Sequence, residues 1–238
     1  MTSYTATEPT ITIGLLLFPG LTQLDLTGPL EVFARIPGAK LYLVAKSMAP
    51  IADDHGLLRL RPTATFHNCP VLDLLFVPGG PGQVAVMDDA ATIDFVHLAG
   101  NKAKMVTSVC SGSLILAAAG LLHGRRATCH WSSIDQLSIL GAIPINQRVV
   151  VDRDRITGAG VSAGIDLALT VIAELFGGTL AEEIQLSIEY DPEPPARSGS
   201  PKTASPDILA KVRARSIDML SHRRDATRRA KSRLKRYL

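Results

Sequence analysis

The feature that most constrains this chain is a set of near-continuous apolar runs, each ending abruptly in small or imino residues. Ile11–Phe18 stops at Pro19-Gly20, and Leu72–Val77 stops at Pro78-Gly79-Gly80-Pro81-Gly82. Met105-Val106-Thr107-Ser108-Val109 stops at Cys110-Ser111-Gly112. Strands that are buried on both faces lack the polar alternation of a solvent-facing sheet, so runs of this kind read as central parallel strands. Lys40–Ala45 supplies another strand, and Leu57–Leu60 reads as a short strand in a hairpin-like excursion. Helical stretches separate the strands: one opened by Thr27-Gly28-Pro29, one over Ala90–Ala103 and one over Leu114–Leu122. A further helix, Ala163–Phe176, has Ser162 as its expected N-cap. Val149–Val151 and Arg155–Thr157 flank Asp152-Arg153-Asp154 as a hairpin. Strand–helix alternation over most of the chain predicts a doubly wound, mostly parallel α/β sheet with helices on both faces.

Cys110 is placed where such a sheet does chemistry. A strand that turns into a helix through one residue with small neighbours is a nucleophile elbow, which pushes the central side chain out at the carboxyl edge of the sheet. Ser108 departs from the hydrolase form of that motif, which has Gly two positions before the nucleophile. The helix start aims N–H groups and a positive dipole end at the thiol. On that argument the thiol is expected to be acidified below its free pKa of about 8.5 and to be partly thiolate at neutral pH.

Ligands of an open parallel sheet collect at the carboxyl ends of its strands, and four other groups are expected there. Gly79 and Gly80 offer backbone N–H groups for developing negative charge. Asp25, in a loop between Leu24 and Leu26, is either a partly desolvated proton carrier or a capping residue of the next helix. Ser111 brings a hydroxyl beside the thiol and can also serve as N-cap. His130 is either a base or a packed structural residue beside Trp131.

The 238 residues suffice for one substantial core, and 46% hydrophobic with 20% charged residues describes an ordinary globular chain. A net charge of +3 gives no reason to expect a nucleic-acid partner. Cys69, Cys110 and Cys129 have neither zinc-site nor disulfide-framework spacing. No metal or organic cofactor is signalled by a fingerprint motif. The start of the chain lacks a signal-peptide pattern, and no apolar run is long enough to span a bilayer, so a reducing cytoplasm is expected. Residues 1–10 are expected to be a disordered tail and 11–190 the α/β domain. Residues 191–238 are expected to be a proline-rich arm and a basic helix, packed on the domain or on a dimer partner. The basic end from Arg223 to Arg236 reads as a solvated or frayed helix end.

Taken together, Leu15–Pro19, Gln23-Leu24-Asp25-Leu26-Thr27-Gly28-Pro29, Pro78-Gly79-Gly80, Thr107–Cys110 and Thr128-Cys129-His130-Trp131 resemble the ThiJ/PfpI superfamily, and within it the isonitrile hydratases. The likeness runs over about residues 11–230. It implies a flavodoxin-like, cofactor-independent homodimer acting on a small-molecule isonitrile, with Cys110 as nucleophile and Asp25 as acid/base partner. The hydratases usually carry Thr where this chain has Ser111. Two alternatives belong to the same superfamily: a hydrolase or glyoxalase-like enzyme, and a non-enzymatic cysteine-based ligand or redox sensor. The regulator form usually adds a helix-turn-helix module, for which the roughly 35 residues after Pro201 are too few.

Overall fold

The computed structural model describes residues 11–238; the expected tail, residues 1–10, lies outside them. The strands are β1 (Thr12–Leu16), β2 (Lys40–Ala45), β3 (Ile51–Ala52), β4 (Arg59–Leu60), β5 (Ala64–Thr65), β6 (Leu74–Val77), β7 (Met105–Val109), β8 (Arg126–Ala127), β9 (Ile143–Pro144), β10 (Val149–Asp152) and β11 (Arg155–Gly158). The helices are α1 (Gln23–Phe33), α2 (Gln83–Asp88), α3 (Ala90–Lys102), α4 (Gly112–Ala118), α5 (Gln136–Ile139), α6 (Ala163–Phe176), α7 (Gly178–Ser187), α8 (Pro206–Arg215) and α9 (Ile217–Arg233). No helix among the described residues is long and apolar enough to cross a membrane.

Seven strands form one sheet in the order β10-β11-β7-β6-β1-β2-β5, parallel except for the β10–β11 hairpin. This is the doubly wound α/β architecture that the apolar runs imply. From β1 the chain moves outward to β2, whereas from β6 it moves the opposite way to β7. Right-handed crossovers in opposite directions put their helices on opposite faces. α1 packs on α6, and α6 on α7, on one face, and α2, α3, α4 and α9 pack together on the other. The strand order reverses between β1 and β6, so a crevice opens at their carboxyl ends.

Registers bring three loops to that crevice. Val77 pairs with Ser108 across β6 and β7, and Val109 pairs with Gly158 across β7 and β11. Pro78-Gly79, Cys110 and Ala159-Gly160 therefore leave the sheet side by side. Every residue of α4 is buried, and full burial of Leu114, Ile115 and Leu116 is worth about 1.5–3 kcal/mol for each side chain. That helix starts against the end of β6: a Cβ on Gly112 would lie 2.2 Å from the Val77 carbonyl.

Four local expectations change. α1 begins at Gln23, earlier than Thr27, so Asp25 sits in its first turn and not in a loop, and Pro29 lies inside the helix. Proline has no N–H, so the Asp25 carbonyl lacks its usual helical donor. The C-terminal segment is two helices broken at Ser216. Ser205 caps the first through Ile208 N, whereas Ser162 caps nothing and instead accepts from Arg148. The basic end is docked and not frayed. Arg223, Ala226, Thr227 and Ala230 are buried in α9, with Leu234 buried just beyond, and Arg229 and Arg233 pair with Asp88 while Arg224 pairs with Asp135. Exposed pairs of this kind add little stability individually; the buried stripe is what fixes the helix.

Candidate active site

Cys110 follows β7 directly and has φ +57°, a left-handed conformation uncommon for a residue with a side chain. Its N–H donates to the Gly158 carbonyl at 3.1 Å, which pins the elbow to the neighbouring strand. Ser108 and Ser113 close the turn from beneath through an Oγ–Oγ hydrogen bond of 2.9 Å. The hydroxyl at 108 thus ties the strand to the helix, a use that glycine lacks.

Asp25 is fully buried and faces the elbow. Its Oδ2 accepts from Gly79 N at 2.9 Å, and Oδ1 is buried without a conventional hydrogen-bond partner. The Cys110 thiol interacts with this carboxyl. Burial pushes the Asp25 pKa up to about 7, against smaller opposing effects of the Gly79 N–H and the thiol. Asp25 therefore changes protonation near neutrality, with one oxygen free to receive or deliver a proton.

The expected acidification of Cys110 does not hold for the resting site. The thiol is raised well above its ordinary value, chiefly by burial and then by the neighbouring Asp25 charge and Cys129. The Ser111 N–H and Arg223 act in the opposite direction but are outweighed. A helix start lowers a thiol pKa only if the thiolate it favours is not also stripped of water. Cys110 and Asp25 must be treated as a coupled pair that loses its first proton near pH 7.

Gly79 and Gly80 take a different part from the one expected. Their N–H groups are already engaged, Gly79 to Asp25 Oδ2 and Gly80 to Ser111 Oγ at 3.0 Å, so neither is free as an oxyanion donor. They hold the Asp25 carboxyl and the Ser111 hydroxyl in place. A Cβ on Gly79 would lie 2.6 Å from Ser111 N and 2.8 Å from Asp25 Oδ2, so only glycine fits between the two. Ser111 occupies the N-cap position of α4 but makes no side-chain cap; its hydroxyl accepts from Gly80 N and donates to Gly80 O at 3.2 Å.

His130 is near the site but joins neither Cys110 nor Asp25 by a hydrogen bond. Its Nδ1 meets Ser132 Oγ at 2.8 Å, and burial, aided by Arg223, lowers its pKa to about 4. At neutral pH the ring is uncharged. It forms part of the wall of a cavity of about 610 Å³ that also includes Leu24, Cys129, Trp131, Gly160 and Val161. Gly199-Ser200-Pro201-Lys202 of the arm line the same cavity, which neighbours the elbow through Cys129 and Ala159-Gly160 and does not have Cys110, Asp25 or Ser111 in its wall. Sequence reading missed Arg223, which acts electrostatically on Asp25, Cys110, Cys129 and His130. The signal was the spacing of Arg223, Thr227, Ala230 and Leu234, a helical stripe of small and apolar residues inside a basic run.

This strand–elbow arrangement coincides with a known family. The DJ-1/PfpI family model matches residues 12–174. The chain belongs to the DJ-1/PfpI family. Among family relatives, the isonitrile hydratase of Pseudomonas putida is 49% identical over 222 residues, spanning 93% of this chain and 97% of that protein. A crystal structure of a ThiJ/PfpI family protein from Pseudomonas syringae superposes with a TM-score of 0.90 at 48% identity, covering 92% of this chain and 91% of the other. The HTH-type transcriptional regulator GbdR of Pseudomonas aeruginosa is 29% identical over 75% of this chain, which spans only 50% of the regulator.

The Ser111 geometry carries a prediction. Ser111→Ala leaves the Gly80 N–H without its acceptor inside the crevice, which costs about 1–3 kcal/mol in stability. Ser111→Thr keeps the hydroxyl and restricts its rotamer. Measured turnover is expected to fall in the Ala variant and to be kept or raised in the Thr variant. An Ala variant as active as the parent would assign the position to its backbone alone.

Proposed function

We propose that this protein is an isonitrile hydratase that converts R–NC and water to R–NH–CHO through covalent attachment to Cys110. The observation that carries the reading is a buried elbow thiol beside a carboxyl that titrates near pH 7. The near-full-length likeness to the Pseudomonas putida isonitrile hydratase narrows the substrate.

The terminal carbon of an isonitrile accepts both a soft nucleophile and a proton. In the reactive state the Cys110–Asp25 pair holds one proton. Sulfur attacks the isonitrile carbon while that proton passes by way of Asp25 to the same carbon, giving the thioimidate R–N=CH–S–Cys110 and leaving Asp25 as carboxylate. Asp25 then takes a proton from water as the hydroxide adds to the thioimidate carbon, and passes that same proton to the imine nitrogen. Collapse of the adduct R–NH–CH(OH)–S–Cys110 releases the formamide and returns one proton to the pair. Atoms balance without a redox partner. The apolar wall from Leu24, Trp131 and Val161 receives R, and Ser111 holds the loop against which the reacting carbon sits.

The test is formamide production from a panel of alkyl and aryl isonitriles. Turnover that requires Cys110 supports the reading. No turnover of any member would sink it and leave the hydrolase or glyoxalase-like reading of the same thiol.

We also propose a homodimer. α8 has no buried residue, and Ile208 and Val212 on it are exposed, as are Leu186 on α7 and Ile217 on α9. Large apolar side chains left bare in this number favour a second copy. The arm, expected to pack on the domain or on a dimer partner, contributes Gly199–Lys202 to its own chain's cavity wall. Light scattering at micromolar concentration is expected to give twice 25.4 kDa; a mass near 25.4 kDa would refute the dimer.

A further inference from the structure

Arg223 is a cation buried at 4% exposure that has no carboxylate within ion-pair distance among the described residues. Its Nη1 donates to Ser133 Oγ at 3.0 Å, and its Nε is buried with no hydrogen-bond partner. The neighbouring arginines are disposed differently. Arg224 reaches Asp135, and Arg229 and Arg233 share Asp88, all at the surface. A buried guanidinium is costly unless something compensates its charge. α9, which packs against α4, the helix starting at the elbow, therefore has carboxylates at hand, yet holds one arginine away from all of them and on Ser133.

We propose that Arg223 is a positioning residue for the reaction, its buried guanidinium being held by Ser133 so that its charge favours the singly protonated, anionic state of the Cys110–Asp25 pair. The compensating anion is the one that forms at the elbow, which explains why no carboxylate accompanies the arginine. The other ionisable groups around the pair do not supply this charge. Asp25 comes from α1, and Asp54, from the turn after β3, opposes its ionisation. Cys129 also opposes ionisation of Cys110, Asp135 faces Cys129 with negative charge, and His130 is neutral near pH 7. Arg223 is the cation common to all four of Asp25, Cys110, Cys129 and His130, and it lowers the pKa of each.

This inference rests on Cys110 as the reacting group of the proposed hydratase but not on the identity of the substrate. The experiment therefore reads the thiol directly. Cys110 alkylation by iodoacetamide is followed by peptide mass spectrometry from pH 5 to 10 in the parent, Arg223→Gln and Arg223→Lys. Cys69, outside the site, serves as internal reference, and a thermal melt reports folding. The Gln variant is expected to alkylate Cys110 roughly tenfold more slowly at pH 7, with the deficit closing as pH rises, because the loss of a nearby opposite charge disfavours the anion. The Lys variant, which keeps the charge, is expected to stay within about threefold of the parent. A Gln profile that superposes on the parent's, or one slowed equally at every pH, overturns the proposal. If the Gln variant does not fold, a folded Lys variant with a tenfold deficit at pH 7 overturns it equally.

Discussion

Replacing Cys110 by alanine is expected to reduce isonitrile turnover by at least about 10⁴-fold while leaving the fold intact. The size follows from the chemistry. Without sulfur no thioimidate forms, and water alone is a poor nucleophile toward an isonitrile carbon. The fold should survive because the elbow is held by groups other than the thiol: the Cys110 N–H on Gly158, the Ser108–Ser113 hydroxyl pair and the buried α4. Alanine has to adopt the same positive φ as cysteine, so the backbone strain cancels in the comparison. Circular dichroism with a thermal midpoint within a few degrees of the parent would establish the intact fold. A Cys110→Ala enzyme retaining more than about a hundredth of parental turnover would rule out covalent catalysis at this residue. In the parent, brief alkylation should mark Cys110 before Cys69 and Cys129: burial raises all three thiols, but only Cys110 is hydrogen-bonded to a carboxyl, Asp25, that can take its proton.

Asp25→Asn is expected to cost activity and raise stability at the same time. The amide neither accepts the thiol proton nor delivers one, so a loss of roughly 10²–10⁴-fold in turnover follows from the removal of general acid–base catalysis. The stability effect comes from linkage. Asp25 ionises near 3.8 in the unfolded chain and near 7 in the folded one, so the unfolded state releases the proton first as pH rises. Folded-state stability therefore falls between about pH 4 and pH 7, by up to roughly 4 kcal/mol, and stays reduced above that. Asparagine removes this loss, and its amide oxygen can still accept from Gly79 N. Part of the gain is offset where the new N–H₂ replaces the unpartnered Oδ1. A net rise of about 5 °C in thermal midpoint is expected at pH 8, shrinking towards zero at pH 4. The parent's kcat/KM should also fall below about pH 7 as the pair takes up its second proton, a limb absent from the Asn variant. A variant with parental activity and an unchanged midpoint at pH 8 would reduce Asp25 to a structural residue of α1.

Both effects come from one trade. The chain keeps an ionisable carboxyl in a place that disfavours its charge, and gains a group able to carry a proton at neutral pH.

By itself the sequence determined the architecture, the position of the elbow, and which side chains end at the carboxyl edge of the sheet. Those features are local: an unbroken apolar run, the small residues that end it and the helix that follows lie within about twenty positions of one another. Tertiary structure alone decided what the assembled groups do to each other. Gly79 and Gly80 offer N–H groups in any reading of their turn, but only the fold shows them taken by Asp25 and Ser111. The helix start beside Cys110 is visible in the chain, whereas the burial that outweighs it, and the charges of Asp25 and Cys129 that add to it, come only with the tertiary fold. Arg223 belongs to a basic run whose composition is that of a solvated helix, and only docking of α9 buries it and brings its charge to bear on the thiol. Solvation and charge depend on neighbours contributed by distant parts of the chain, and residue pattern carries no record of those distances.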